Sequence, residues 1–403
     1  MHSLVYIARV TTTVLRRTAP PPILLLVLLA TPTALSANSA TTVTAALADD
    51  LGVSVSAATW VGTAFGWGVV IGTPLTTSLL RTRGLRVVVA INAALVLLGA
   101  ALVAVAPALP LLLAGRAIGA AGSGGLVTIA IGVAGTARRT GAITASVGLV
   151  GAFGPLAGTA LSGLSWRLPL LLAAVATAAV PALLRRLPRA VRREEVTPRD
   201  PLGIALVLGI VTAVVLIPRT PSAALGATAV LGIALVAHIA RRADGFVPRA
   251  VVRSPRWVVG ALAACTLSTV YFVLLYIVPH LLRAEWAPNR IGLTTLLTLA
   301  CGAVTALLFT RCVHRLPAAA VGIGLPVAAA IAALLPIATA TPAVYAWSTA
   351  LAVFASSAGM AWYATRITEA VPPDQQRTAL GLYTLAYQLG GAIGPAVATV
   401  LLA

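Results

Sequence analysis

Thirteen apolar stretches follow one another along this chain with only short loops between them. A helix needs roughly 20 apolar residues to cross the hydrocarbon core of a bilayer. Backbone polar groups inside lipid are satisfied only within a helix or a closed barrel. The stretches fall near 23–46, 57–80, 86–106, 110–134, 141–164, 168–184, 202–217, 222–240, 257–282, 291–311, 317–337, 341–366 and 378–403, with those at 168–184 and 202–217 the shortest. Taken as spans 1–13, they predict an all-α polytopic membrane protein whose surroundings are the lipid bilayer. The chain is 59% hydrophobic and 9% charged, more apolar surface than a soluble domain can bury.

The arginines set the topology. There is no lysine, and the formal net charge is +19. Such a charge invites a nucleic-acid reading, but the basic residues occupy short loops, where they orient spans instead. They gather before span 1 (Arg9, Arg16, Arg17) and in every second loop after it: Arg81, Arg83 and Arg86; Arg138 and Arg139; Arg185 to Arg199; Arg241 to Arg256; Arg311 and Arg315; Arg366 and Arg377. The alternate loops hold Arg167, Arg219, Arg283 and Arg290. This alternation places the N-terminus in the cytoplasm and the C-terminus outside, in the plasma membrane. Arg16-Arg17, the following ILLLVLLA and then ALSANSA imitate a signal peptide, but the arginine alternation needs span 1. Cys265, Cys301 and Cys312 have no metal or redox spacing. The sequence holds no phosphate-binding loop and no zinc-spaced histidine pair, so no enzyme, cofactor or metal site is expected.

A repeat divides the chain. Residues 151–161 read GAFGPLAGTAL and residues 391–401 read GAIGPAVATVL, 240 residues apart. Gly151, Gly154 and Pro155 in span 5 thus match Gly391, Gly394 and Pro395 in span 13. Internal repeats of this kind mark transporters built from two related halves. Spans 5 and 13 become the fifth helices of two halves only if spans 7 and 8 are an insert. The expected organisation is a cytoplasmic N-terminus 1–22, a six-helix bundle 23–184, a basic linker 185–201, an inserted helix pair 202–240, a second linker 241–256, and a five-helix bundle 257–403 without a sixth helix. At the same offset, Arg116 pairs with Ser356.

From about residue 25 onward, these motifs resemble the major facilitator superfamily, and within it the 14-spanner drug:proton antiporters. Gly151-x-x-Gly154-Pro155-x-x-Gly158, followed by Trp166-Arg167, is similar to the antiporter motif of that group. Arg116 stands where the family carries a membrane-embedded arginine, and a charge at such depth is costly and functional by default. Other motifs depart from the pattern. In the loop between spans 2 and 3, Gly84 and Arg86 fit, but Arg81 replaces an acid. In span 1, Ser36 stands for an acid, and a fourteenth span is expected where the second half ends.

The resemblance implies two pseudo-symmetric helix bundles with a central extra helix pair, working by alternating access on a small-molecule substrate. It further implies a cavity lined by spans 1, 4, 9 and 12, with Ser36, Asn38, Arg116, Tyr271, Tyr276, Ser356 and Trp362 as candidates and Gln388 added from span 13. Aromatic side chains with few polar groups suit a bulky, mostly apolar ligand. A permanent cation would face Arg116 without a buried carboxylate, so a lipophilic neutral or anionic compound is the expected cargo. None of the nine acidic residues falls at mid-membrane, which makes protons a weakly supported coupling ion. Asp49 and Asp50 read as solvated, and His238 and His280 are the remaining titratable candidates. A degenerate, non-transporting relative and a proton-independent facilitator remain alternatives at this point.

Overall fold

The computed structural model describes residues 21–135, 137–187, 200–243, 245–372 and 375–402. The side chains of Arg81, Thr82, Ala137 and Arg377 lie outside the description, as do the N-terminal arginines and most of the 185–201 linker. All regular structure among the described residues is helical. Spans 1 to 4 are the helices Ile23–Leu51, Val55–Arg83, Leu85–Val105 and Leu109–Gly132. Span 5 comes in two pieces, Ala137–Ala152 and Gly154–Ser162, bent by 40°. Span 6 starts as α-helix (Arg167–Leu171), tightens to a 3-10 turn (Leu172–Ala179) and returns to α-helix (Val180–Arg186). Spans 7 and 8 are Pro201–Leu216 and Pro221–Arg241. Spans 9 to 13 are Pro255–Leu282, Pro288–Cys312, Ala318–Ala338, Pro342–Glu369 and Gln376–Leu401. Twelve of these thirteen are long and apolar enough to cross a bilayer when bent span 5 counts as one; span 7 has 16 residues and falls short.

Local chemistry explains the boundaries. Proline opens spans 7, 8, 9, 10 and 12, where its missing N–H would have had no helical partner. Ser54 and Ser254 cap spans 2 and 9 by accepting the N–H of Ala57 and of Trp257. Span 1 ends at Gly52, whose φ of 62° is left-handed.

The two halves repeat one packing scheme. In the first, span 2 packs on span 4, span 3 on span 4 and span 5 on span 1. In the second, span 10 packs on span 12, span 11 on span 12 and span 13 on span 9. Glycine permits the tightest of these approaches. A Cβ on Gly154 would lie 2.6 Å from the Cβ of Asn38, and one on Gly394 would lie 2.5 Å from the Cβ of Phe272. Both copies of the repeat therefore press a fifth helix against the first helix of its own half. The halves differ around span 6, which lies against spans 1, 3 and 4, whereas in the second half span 11 touches span 9 directly.

The seam between halves is crossed in the same sense twice, by span 13 on span 2 and by span 10 on span 5. Its close approaches gather toward the arginine-poor end. Ser56 Oγ donates to the Thr399 carbonyl at 2.6 Å, and an Arg283 Nη donates to the Thr42 carbonyl at 2.7 Å. A Cβ on Gly66 would stand 2.7 Å from Ala392 Cα. Span 7 lies along spans 2 and 13, and Trp67 Nε1 donates to Thr212 Oγ1 at 2.9 Å. Span 8 packs on span 7 and exposes Val230 and Ile233, an apolar face suited to lipid.

At the arginine-rich end, Asp200 fastens the inserted pair. Its carboxylate accepts from Gly203 N at 2.8 Å and Phe246 N at 2.7 Å, and lies 2.7 Å from His238 Nε2. Burial, the largest influence, pushes this carboxyl up, yet the Phe246 and Gly203 amides and His238 together hold it below the usual carboxylate range.

Candidate functional site

Arg116 is the deepest charge among the described residues, with 3% of its surface exposed. Span 4 carries it, and three other helices supply its partners. Nη1 donates to Ser36 Oγ at 2.9 Å and to the Leu170 carbonyl at 3.1 Å, and Nη2 donates to the Ser36 carbonyl at 3.3 Å. The guanidinium lies 4.5 Å from the centroid of Phe65 on span 2. Ser36 Oγ donates in turn to Leu170 O at 3.0 Å, and Ser39 Oγ to Pro169 O at 2.9 Å. These carbonyls sit where span 6 passes from α to 3-10 geometry. A tightened turn inside a helix weakens its own hydrogen bonds, and span 1 and Arg116 offer donors there.

Every direct partner of this permanent cation is neutral. Elsewhere Arg167 pairs with Asp50 and Arg366 with Glu369, and His238 lies against Asp200. Arg116 Nε is buried without a hydrogen-bond partner among the described residues, and a cavity of about 20 Å³ beside it, lined by Phe65, Gly99, Val103, Gly119 and Leu171, has room for one water.

Asn38 faces elsewhere. Its Nδ2 donates to the carbonyl of Gly151 at 2.9 Å, and Thr42 Oγ1, one turn on, donates to the Pro155 carbonyl at 3.2 Å. Span 1 thus serves span 6 through Ser36 and Ser39, and span 5 through Asn38 and Thr42. Gly158 completes the contact, since a Cβ there would collide with Thr42 and the Ser39 carbonyl.

The second half holds a neutral cluster. Ser356, at the position that pairs with Arg116 in the repeat, donates to the hydroxyl of Tyr387 at 3.2 Å. Tyr271 packs on Phe272 with ring centroids 4.6 Å apart. Gln388 Oε1 is buried and unpartnered among the described residues. Tyr276 reaches across the seam: its hydroxyl occupies the space over Gly62, one turn from Phe65, so a Cβ on Gly62 would strike it. Trp362 is not part of this cluster. It packs edge-on against Tyr363 and over Gly322 of span 11, toward Arg366. Trp347, also on span 12, is 68% exposed.

Between spans 2 and 3, Gly84 turns with φ 79° and Arg86 is half-buried. Asp50 is exposed, as the solvated reading expects, but it is also paired. Its carboxylate accepts from Trp166 Nε1 at 2.9 Å and from Arg167 at 3.3 Å, and Arg167 also donates to the Ala106 carbonyl at 3.1 Å while stacking on Trp166. The pairing was hidden because its partners are more than a hundred residues apart in sequence. The Trp166-Arg167 motif was the available signal. No group of three or more His, Cys, Asp or Glu that could hold a metal occurs among the described residues.

Comparison with known proteins places this architecture. The family model described as Major Facilitator Superfamily matches residues 24–395. Among solved structures, the chain is similar to a bacterial homolog of the human lysosomal transporter Spinster, captured inward-facing and unoccupied: 18% identity, TM-score 0.61, covering 93% of this chain and 80% of that one. It is similar to the POT family transporter PepTSo at 17% identity and TM-score 0.63, over 95% and 90% of the two chains. It is also similar to a D-xylose-proton symporter at 13% identity and TM-score 0.61, over 94% and 89%. No curated protein matches the sequence.

Proposed function

The chain belongs to the major facilitator superfamily, and on that premise we propose that it exports a lipophilic neutral or anionic small molecule, a drug or secondary metabolite. Transport proceeds by alternating access, the two halves rocking about a cavity between them. The observation that carries the choice of cargo is Arg116, a buried cation whose direct partners are all neutral. A second permanent cation brought near it would meet repulsion without a buried carboxylate to offset it. An acidic or uncharged apolar compound meets donors and aromatic rings instead. Ser36, Arg116, Tyr271, Tyr276, Ser356 and Gln388 are the side chains proposed to meet it.

Export as the direction rests on the resemblance of Gly151-x-x-Gly154-Pro155-x-x-Gly158 to the antiporter motif. With the arginine-rich loops in the cytoplasm, the contacts at the opposite end close the outer side of the seam. A closed outer side is what an exporter in its loading state requires. Proton coupling has weak support. The described acids Asp49, Asp50, Asp200, Glu285 and Glu369 stand at helix ends or in loops, although one relative in fold is described as a proton symporter.

The test is accumulation of a panel of lipophilic anions, neutral compounds and quaternary ammonium ions in cells making the wild type, Arg116→Ala or Pro155→Leu. Lower accumulation of anionic or neutral compounds in the wild type alone is expected. Quaternary ammonium ions as the best cargo would overturn the charge argument. Equal accumulation in all three strains would favour a non-transporting relative.

A further inference from the structure

The two copies of the Gly-Ala-x-Gly-Pro repeat fold differently, and one side chain marks the difference. Pro155 has no N–H, so the carbonyl of Gly151, four residues earlier, has lost its helical donor. Asn38 Nδ2 takes that place at 2.9 Å. Gly154 leaves room for it, since a Cβ there would come within 2.6 Å of Asn38 Cβ. At this point span 5 breaks, at Phe153, and bends by 40°. In the second copy Pro395 strips Gly391 of its donor in the same way. The residue packed over Gly391 and Gly394 is Phe272, whose side chain has no N–H or O–H to give. Span 13 runs from Gln376 to Leu401 as one helix.

We propose that Asn38 is a positioning residue that holds span 5 in its bent form by replacing the hydrogen-bond donor that Pro155 withholds. The bent arm Ala137–Ala152 has 16 residues, about 24 Å of helix at ~1.5 Å per residue. Swinging such an arm through 40° carries its tip roughly 16 Å. That tip lies at the arginine-rich end, on the span that packs against span 10 of the other half. Asn38 thereby sets how far the seam stands open there. The consequence for transport rests on the alternating-access reading; the control of the bend does not.

The experiment is a distance measurement by pulsed electron resonance on the full chain in nanodiscs. Cys265→Ala, Cys301→Ala and Cys312→Ala clear the background, and spin labels go on Arg138→Cys and His314→Cys, both exposed. Asn38→Asp, at a pH well above the carboxylate range, keeps the size but removes the donor. Asn38→Leu is the second variant, should a buried carboxylate prevent folding. Losing one hydrogen bond to a buried carbonyl shifts a two-state equilibrium about tenfold. The population at the wild-type distance should fall accordingly, with a new population displaced by several ångströms or more. Pro155→Ala returns a backbone N–H to Gly151, so in that background changes at residue 38 should no longer move the distance. Wild-type distances in every folded Asn38 variant would overturn the proposal, as would an undiminished Asn38 effect in the Pro155→Ala background. If the distances move as expected while no compound in the panel is transported, the export reading fails and the role of Asn38 stands.

Discussion

Replacing Arg116 by methionine should lower the protein's stability by a few kcal/mol while stopping transport. Arg116→Met removes three hydrogen bonds, to Ser36 Oγ, Leu170 O and Ser36 O, and one stack on Phe65. Hydrogen bonds to a charged group contribute about 1.5–3 kcal/mol each. Two of the acceptors are not orphaned by the change. Leu170 O keeps Ser36 Oγ at 3.0 Å, and Ser36 O, inside the helix Ile23–Leu51, keeps the helical N–H four residues on. Against the loss stands the cost of holding a charge inside the bilayer, about 2.5–3.5 kcal/mol on insertion scales, which methionine does not incur. Methionine also fills the space of the stem. The three bonds together come to about 4.5–9 kcal/mol and exceed the cost of the buried charge by roughly 1–6 kcal/mol, a net loss that lowers Tm by ~2–4 °C per kcal/mol for chains of 150–250 residues. The assay is thermal unfolding in detergent followed by size-exclusion fluorescence, with uptake into inverted vesicles measured in parallel. An unchanged or raised Tm would refute the reasoning, because it would mean that the three bonds do not outweigh the cost of holding the charge inside the bilayer.

Three further outcomes follow from the packing. Gly66→Leu should force span 2 from Ala392 and raise the labelling of Tyr276→Cys by an impermeant maleimide; unchanged labelling would show that the halves do not meet along Gly66. Ser56→Cys with Thr399→Cys should be joined by a short bis-maleimide, and the cross-link should halt transport reversibly if a cleavable reagent is used; full transport by the cross-linked protein would show that these ends need not part. Asp200→Asn should loosen the inserted pair and lower the unfolding temperature, because one amide oxygen replaces two carboxylate acceptors. Since the folded carboxyl is held below its ordinary value, its stabilising effect is complete above the unfolded pKa of about 3.9 and disappears as pH falls through the lower folded value. A wild-type and an Asp200→Asn protein that lose stability in parallel across that acid window would contradict this.

The helices were legible because bilayer thickness imposes length and composition on each of them. Even the two stretches that read as shortest proved to be the unusual ones: span 6 is part 3-10 helix, and span 7 has 16 residues. The repeat was legible as well, since glycine and proline leave a local mark. Partnerships were not. Asn38 read as a cavity residue, yet its amide is committed to Gly151, 113 residues away. His238 read as a candidate by itself near a helix end, and it lies against Asp200. Trp257 donates its indole N–H to the Ala379 carbonyl at 3.0 Å, 122 residues away. In each case the sequence displays a polar group, and only the crossing of two distant helices reveals what it satisfies. Ser36 is the instructive instance. As a replacement for an acid it looked like a loss, but a hydroxyl both accepts from Arg116 and donates to Leu170 O, which an ionised carboxylate cannot do.

Span 7 carries a consequence for the membrane itself. Its 16 residues give about 24 Å of helix, some 6 Å less than the ~30 Å hydrocarbon core. It stands against spans 2 and 13, the very helices that meet along the seam. Lipid beside the seam must therefore thin, or span 7 must draw its polar ends inward, at a modest cost for each ångström of mismatch. Acyl-chain length then enters the energetics at the place where the two halves move past each other, and the bilayer becomes a participant in the balance between the protein's open and closed forms.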